Sequence, residues 1–463
     1  MFSQPTFHRF DYQVLAVMAA LIAAIFVSVA AGNRVGVQIE SYTPQETASS
    51  AGPIVLRFYD EMNIEQVQAA FQIDPPIAGE FTWSNRRIMT FTPSQAMTPG
   101  LTYTVTLVQG AESRNGANVL REDFRFHFRV KQPSLIYLAP AGAQERNLYR
   151  HNLETGEVTQ LTQAPYGIAD YAVSPDGLNI AYSLYNEDGT SNIWLYGLAT
   201  GSSSQLTNCV NASCGAPAWK PDGSQIAYER EEYDLALGQI GAKRVWVVST
   251  STAQSGLLFE DTQVTGHSPE FSSQGGRLAM FSTNPPAILV YDTLADRRIY
   301  IESLQGLSGQ FSPDGTQLVY PVLTRGAIGA QFYTQLERLD ILTEQRTVVT
   351  TAGGEQAIED NTGVWRPNYP DELAVTRRYL DNRYTDFPQI YLLDLRTNEA
   401  RPLVVDNKFS HGSITWSDDG NLLAFQRFNR VEQGARPQIW LHNLTTGETS
   451  LIANDAFLPG FLP

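Results

Sequence analysis

Ser312-Pro313-Asp314-Gly315-Thr316-Gln317-Leu318-Val319-Tyr320 decides the fold, because a tight turn runs directly into an apolar stretch. Proline presets the first corner, aspartate accepts from nearby backbone N–H groups, and glycine takes the left-handed exit. The stretch that follows reads as the second strand of a hairpin. The pattern recurs as Ser174-Pro175-Asp176-Gly177 before Ile180-Ala181-Tyr182, and as Lys220-Pro221-Asp222-Gly223 before Ile226-Ala227-Tyr228. Looser copies are Ser272-Ser273-Gln274-Gly275 before Leu278-Ala279-Met280, Ser417-Asp418-Asp419-Gly420 before Leu423-Ala424-Phe425, and Arg366-Pro367-Asn368 before Leu373-Ala374-Val375.

A third strand follows each hairpin, aligned in Asn147-Leu148-Tyr149, Asn192-Ile193-Trp194, Gln389-Ile390-Tyr391 and Gln438-Ile439-Trp440. A fourth is clearest in Gln160-Leu161-Thr162 and Gln205-Leu206-Thr207. The turn glycines at 177, 223, 275 and 315 lie 46, 52 and 40 residues apart. Four strands on a period of roughly 40–45 residues or a little more make a β-propeller blade. On these repeats, residues 135–463 resemble the TolB-like propellers built from WD40-like PD40 repeats. The resemblance implies the fold; function does not follow from it, because propellers host unrelated activities.

The chain has 463 residues and a formal net charge of −16, which argues against nucleic acid as a partner. Residues 1–13 read as a short cytoplasmic tail. Residues 14–32, VLAVMAALIAAIFVSVAAG, carry no charge and approach the ~20 needed to cross a bilayer as a helix. An uncleaved signal-anchor is the expectation. The alternative is secretion after cleavage at the small residues Val29, Ala30 and Ala31.

Residues 33–131 read as a separate β domain, with strands expected over Val35–Ser41, Ile54–Phe58, Glu80–Trp83, Ile88–Thr92, Leu101–Val108 and Phe124–Val130. Asn63 is placed to cap a short helical turn. Phe58, Met62-Asn63, Ala70-Phe71, Gly79, Phe81, Phe91-Thr92-Pro93, Pro99-Gly100 and Tyr103 resemble the bacterial Ig-like domain of the S-layer protein SbsA. That resemblance implies a spacer or adhesion module. Residues 132–134 are the linker.

The propeller starts without a first strand: residues 135–167 supply three, six complete units follow, and Ala456-Phe457-Leu458-Pro459-Gly460-Phe461 is left over. Closure by that tail gives seven blades and removes the open edges of a linear array. Six or eight blades would follow from a different division of the repeats near Arg366 or 325–335. The expected fold class is therefore all-β, with a propeller, an Ig-like sandwich and one transmembrane helix. Cys209 and Cys214 are too few for a structural zinc site and read as a small loop disulfide, with two free thiols the alternative.

No G-x-S-x-G, H-E-x-x-H, P-loop or dinucleotide fingerprint occurs. Asp176, Asp222, Asp314 and Asp419, with Gly177, Gly223, Gly315 and Gly420, are assigned to their own turns. His267 and His411 fall just before innermost strands, where the connections surround a central channel. Asp360, Asn361, Tyr166 and Asp170 take comparable positions in other blades, so these six are the candidate ligand-binding rim. No cofactor and no metal are expected. The reading is a membrane-anchored, extracytoplasmic binding or scaffold protein at the cell surface, engaging a protein or glycan. The rival is a propeller enzyme, a polysaccharide lyase or hydrolase, acting at the channel.

Overall fold

The computed structural model describes residues 9–32, 36–50, 52–234, 236–325, 332–350 and 358–462, and within the first helix the side chains of 12–26. The chain divides into two units, Met1–Lys131 and Gln132–Pro463.

Arg9–Gly32 forms an α-helix of 24 residues. Its described side chains are exposed on every side, including Leu15, Leu21 and Phe26. Among the described residues no helix is long and apolar enough to cross a membrane. The span expected over 14–32 is therefore unsupported. Most of the expected tail, 1–13, lies outside the described residues.

The rest of the first unit is a sandwich of two four-stranded sheets. One orders Ile39–Thr43, Ile54–Phe58, Ile88–Pro93 and Gly79–Ser84, and the other Thr47–Ala48, Phe124–Val130, Thr102–Leu107 and Phe71–Asp74. Strand alternation builds its core: Phe126, Phe128 and Val130 are buried, while Arg125, His127 and Arg129 face out. Leu56, Phe58, Met89, Phe91, Val105 and Leu107 meet them. Asn63 caps the helix Ile64–Ala70 by accepting from the Gln66 N–H at 3.4 Å. The first strand starts at Ile39, later than expected, because Val37 donates elsewhere, to the Val119 carbonyl. Val35 lies outside the described residues.

The second unit contains seven four-stranded blades among the described residues. The second strand explains how they pack. Ile180 and Tyr182 face the first blade, in a cluster with Ile136 and Leu148. Ala181, between them, faces the third blade beside Ala212 and Cys214. The same division repeats around the unit: Ala227, Ala279, Val319, Ala374 and Ala424 each face the following blade, and their larger neighbours the preceding one. A small residue at the centre of the apolar triplet is what lets consecutive sheets approach face to face.

The last interface joins the seventh blade to the first. Leu135 and Tyr137 meet Ala424, Phe461, Ile439 and Ala456. Phe457–Leu462 pairs antiparallel with Ser134–Ala139, with Phe461 opposite Leu135 and Leu462 opposite Ser134. The innermost strand of the first blade thus comes from the far end of the sequence. The Tyr171 hydroxyl, from the second blade, lies 2.8 Å from the Ile136 carbonyl and 2.7 Å from that of Leu458, tying the closing strand to its neighbour.

The turns show why the tetrapeptide recurs. In Ser312–Gly315 the serine hydroxyl donates to Asp314 at 2.6 Å, Asp314 accepts from Thr316 N–H at 3.0 Å, and Gly315 sits at φ 68°. Asp176 and Asp419 accept from the hydroxyls of Ser174 and Ser417 in the same way. Asp222 accepts instead from Ser224, with Lys220 beside it.

Candidate functional site

Successive strands of a blade run antiparallel, so the connections into each innermost strand and the hairpins between second and third strands share one face. On that face the innermost strands bulge. The ladder slips between Gly215 and Ala218, between His267 and Glu270, and between Gly412 and Thr415. Ala216, Ser268 and Ser413, at equivalent places, adopt φ of 47°, 54° and 46°. A bulge frees a backbone N–H and re-aims side chains toward the channel.

Two of those amides meet a carboxylate from the preceding blade. Asp170 Oδ2 accepts from Ala216 N–H at 2.7 Å, and Glu229 Oε2 from Ser268 N–H at 3.3 Å. Glu229 also holds Lys243 through Oε1. Burial, set partly against the Ala216 bond, pushes the Asp170 carboxyl up to about 6, and its Oδ1 is buried without a hydrogen-bond partner. His267 lies against Phe281 with Nδ1 2.9 Å from Ser268 Oγ. Burial lowers its pKa, although Glu229 works in the opposite direction. Asp170, Glu229, Lys243 and His267 thus form one electrostatic group across the second, third and fourth blades.

The other candidates do not join it. Asp360 is fully buried and takes both nitrogens of a fork from Arg377, each at 2.8 Å. Burial works against the Arg377 charge, but the Asp360 carboxylate outweighs it and raises its pKa. Such a pair holds two strands of the sixth blade together and engages both carboxylate oxygens. His411 is buried against Phe425, with Nδ1 donating to the Pro388 carbonyl at 3.2 Å. Burial carries its pKa down to about 4, so it is a neutral, inward-facing ring. Tyr166 sits in the connection before the second blade, half-buried. Among the described residues no three histidine, cysteine or acidic side chains are grouped to hold a metal ion. Cys209 and Cys214 form a disulfide, both buried between the second and third blades.

Asn361 has a different setting. It lines a cavity of about 210 Å³ with Ser268, Glu270, Ser308, Gln310 and Thr362, where the fourth, fifth and sixth blades meet. Burial pushes the Glu270 carboxyl up to about 8, despite a hydrogen bond from the Phe311 backbone. Glu270 keeps partial exposure and is one of the residues lining this cavity. Sequence reasoning missed Glu270, Glu229 and Lys243. For Glu270 a signal existed: it stands two residues before its turn, where other blades carry the uncharged Ala172, Ala218, Gln310, Val364 or Thr415.

Together these features define a β-propeller joined to an Ig-like module. Residues 33–130 match the bacterial Ig-like domain family. Over 110 residues the chain is 31% identical to dipeptidyl-peptidase 5 of Porphyromonas gingivalis, a stretch covering 21% of this chain and only 15% of that protein. A puromycin hydrolase complex is 14% identical, covering 69% of this chain and 51% of that one with a TM-score of 0.50. TolB from Acinetobacter baumannii is also 14% identical, covering 86% of this chain and 84% of that one with a TM-score of 0.42. At such identities the likeness is one of fold.

Proposed function

We propose that the protein is a membrane-tethered, extracytoplasmic binding platform that engages a protein or glycan, with the first helix as anchor, the Ig-like domain as spacer and the propeller as the display surface. The observation that carries this reading is the set of apolar side chains left exposed on the hairpins between second and third strands. Leu237 and Ile240 stand out from the third blade, Phe332 from the fifth, Tyr384 from the sixth and Val431 from the seventh, each more than half exposed. Four hairpins on one face present large apolar groups that nothing in their own blade covers, and loops set on a rigid scaffold are where binding residues gather. The tip of the Val322–Tyr333 hairpin, 326–331, lies outside the described residues.

Two further observations support the location. The Cys209–Cys214 disulfide suits an oxidising compartment. From residue 14 to residue 26 every side chain of the first helix is apolar and exposed, which suits a lipid surround. The test is capture from detergent-solubilised native membranes with the full chain, against a variant carrying Leu237→Ser, Ile240→Ser, Tyr384→Ser and Val431→Ser. The reading expects a partner retained by the parent and lost by the variant at unchanged thermal midpoint; equal capture by both would refute it.

The rival reading, an enzyme, draws on the grouping of Asp170, Glu229 and His267 with Asp170 raised to about 6. Asp170→Asn with His267→Ala separates the two. A platform keeps its partner, whereas an enzyme acting on a polysaccharide loses turnover.

A further inference from the structure

The fifth blade holds a cavity because its innermost strand is cut short. Only Gln310 and Phe311 pair there, opposite Val319 and Leu318. Continuing the ladder would set Gly309 opposite Tyr320 and Ser308 opposite Pro321. Pro321 has no N–H to offer, so the pairing stops. Gly309 turns away at φ 81°, where a Cβ would come within 2.8 Å of the Val319 carbonyl. The chain departs, and Val319, Pro321 and Leu336 are left lining a hollow of about 210 Å³. At ~30 Å³ per water this is room for a group of roughly seven non-hydrogen atoms.

Into this hollow faces one carboxyl group and, among the described residues, no basic side chain. The groups around Glu270 are accounted for. Tyr320 directs its hydroxyl to Glu337 at 3.0 Å, Gln310 accepts from the Trp365 N–H at 3.2 Å, and Asp360 on the sixth blade is bound by Arg377. On its own strand His267 is engaged with Ser268. No charged side chain offsets the desolvation of the Glu270 carboxyl. Serine hydroxyls and the Asn361 amide add hydrogen-bonding groups beside it, and Val319 and Leu336 supply an apolar wall.

We propose that this hollow is a binding site for an alkylammonium group, with Glu270 as its counter-ion, Ser268, Ser308 and Asn361 as hydrogen-bonding partners, and the Val319–Leu336 wall covering the alkyl carbons. The group arrives either as a small free amine or as a lysine side chain of a partner. Binding releases the proton that Glu270 otherwise keeps, so affinity rises with pH while the amine stays charged. The site is distinct from the hairpin tips, and either can fail without the other.

Calorimetric titration of the full chain with n-butylammonium at pH 6 and pH 8 tests the site. A carboxyl titrating near 8 is ionised about 50-fold more at the higher pH, and affinity is expected to follow. Glu270→Gln keeps an acceptor for the Phe311 amide but carries no charge. It is expected to bind at least tenfold more weakly at pH 8 and with no pH dependence. Nα-acetyl-lysine amide resolves the source: binding by both probes assigns the site to a lysine side chain, and binding by n-butylammonium alone to a free amine. Absence of saturable binding at pH 8, affinity in the parent indifferent to pH, or equal binding by Glu270→Gln overturns the proposal. The first two need no variant to fold.

Discussion

The first blade takes its innermost strand from Phe457–Leu462, more than 300 positions away in sequence, whereas the fifth keeps only Gln310 and Phe311. Both are short of a local strand, yet one is completed and the other left open. The difference lies in what each second strand offers. Ser134–Ala139 contains no proline and presents a full edge, and an unpaired edge on a propeller is both costly and prone to the wrong partner. In the fifth blade Pro321 has already removed the donor that a longer strand would need. A completed edge gives stability there, and a blocked edge leaves space that can hold a ligand here.

The largest test of that contrast removes the supplied strand. Deleting residues 457–463 exposes the edge of the first blade and takes away Phe461 and Leu462, both buried. At ~1.5–3 kcal/mol for each large apolar side chain, with the ladder bonds added, the loss should be about 5 kcal/mol or more. Denaturant unfolding followed by tryptophan fluorescence should show it.

Next in size is the far wall of the hollow, held by Asp360 and Arg377. Asp360→Ala leaves a buried guanidinium without its counter-charge and should cost about 3–5 kcal/mol. Adding Arg377→Leu should restore most of that, which distinguishes an unpaired charge from lost packing.

Glu270 yields a pH-dependent effect of intermediate size. Its pKa rises from 4.5 to about 8 in the folded chain, so the unfolded chain releases the proton first. Below pH 4.5 both states are protonated and Glu270 costs nothing. Between 4.5 and 8 the cost grows, and above 8 it levels off. Glu270→Gln should therefore match the parent at pH 4 and become steadily more stable than it up to pH 8. A constant difference across that range would show that the carboxyl is not confined as described.

The smallest effect comes from restoring the missing donor. Pro321→Val should allow Ser308 to pair, slow exchange of nearby amides and narrow the hollow, with stability changing by no more than about 1 kcal/mol. Unaltered exchange around 306–311 would assign the truncation to Gly309 alone.

The fold was far more legible in sequence than the site. Ser-Pro-Asp-Gly followed by an apolar triplet identifies a hairpin by turn chemistry alone, and the unpaired residues after Asp455 pointed to closure. Strands such as Ile54–Phe58 and Phe124–Val130 were readable because one face is buried and alternation is strict. Phe71–Asp74 was not, because it is only four residues long and follows the helix Ile64–Ala70 with no intervening turn. The surroundings of the rim residues were illegible for another reason. Register places Asp360 and His411 at comparable positions to Asp170, but it says nothing of what opposes them across the strand. Arg377 takes up Asp360, and Pro388 with Phe425 encloses His411. The hollow depended on Pro321 interrupting a ladder, a residue that reads from sequence merely as part of a strand.

The closed ring is tested most directly by hydrogen exchange over 457–462 in the intact protein. If Phe457–Leu462 completes the first blade, its paired amides exchange with the same protection as those of 134–139, both limited by unfolding of the propeller. Exchange over 457–462 at the rate of an unstructured peptide, with 134–139 protected only on the side facing 147–152, would contradict closure.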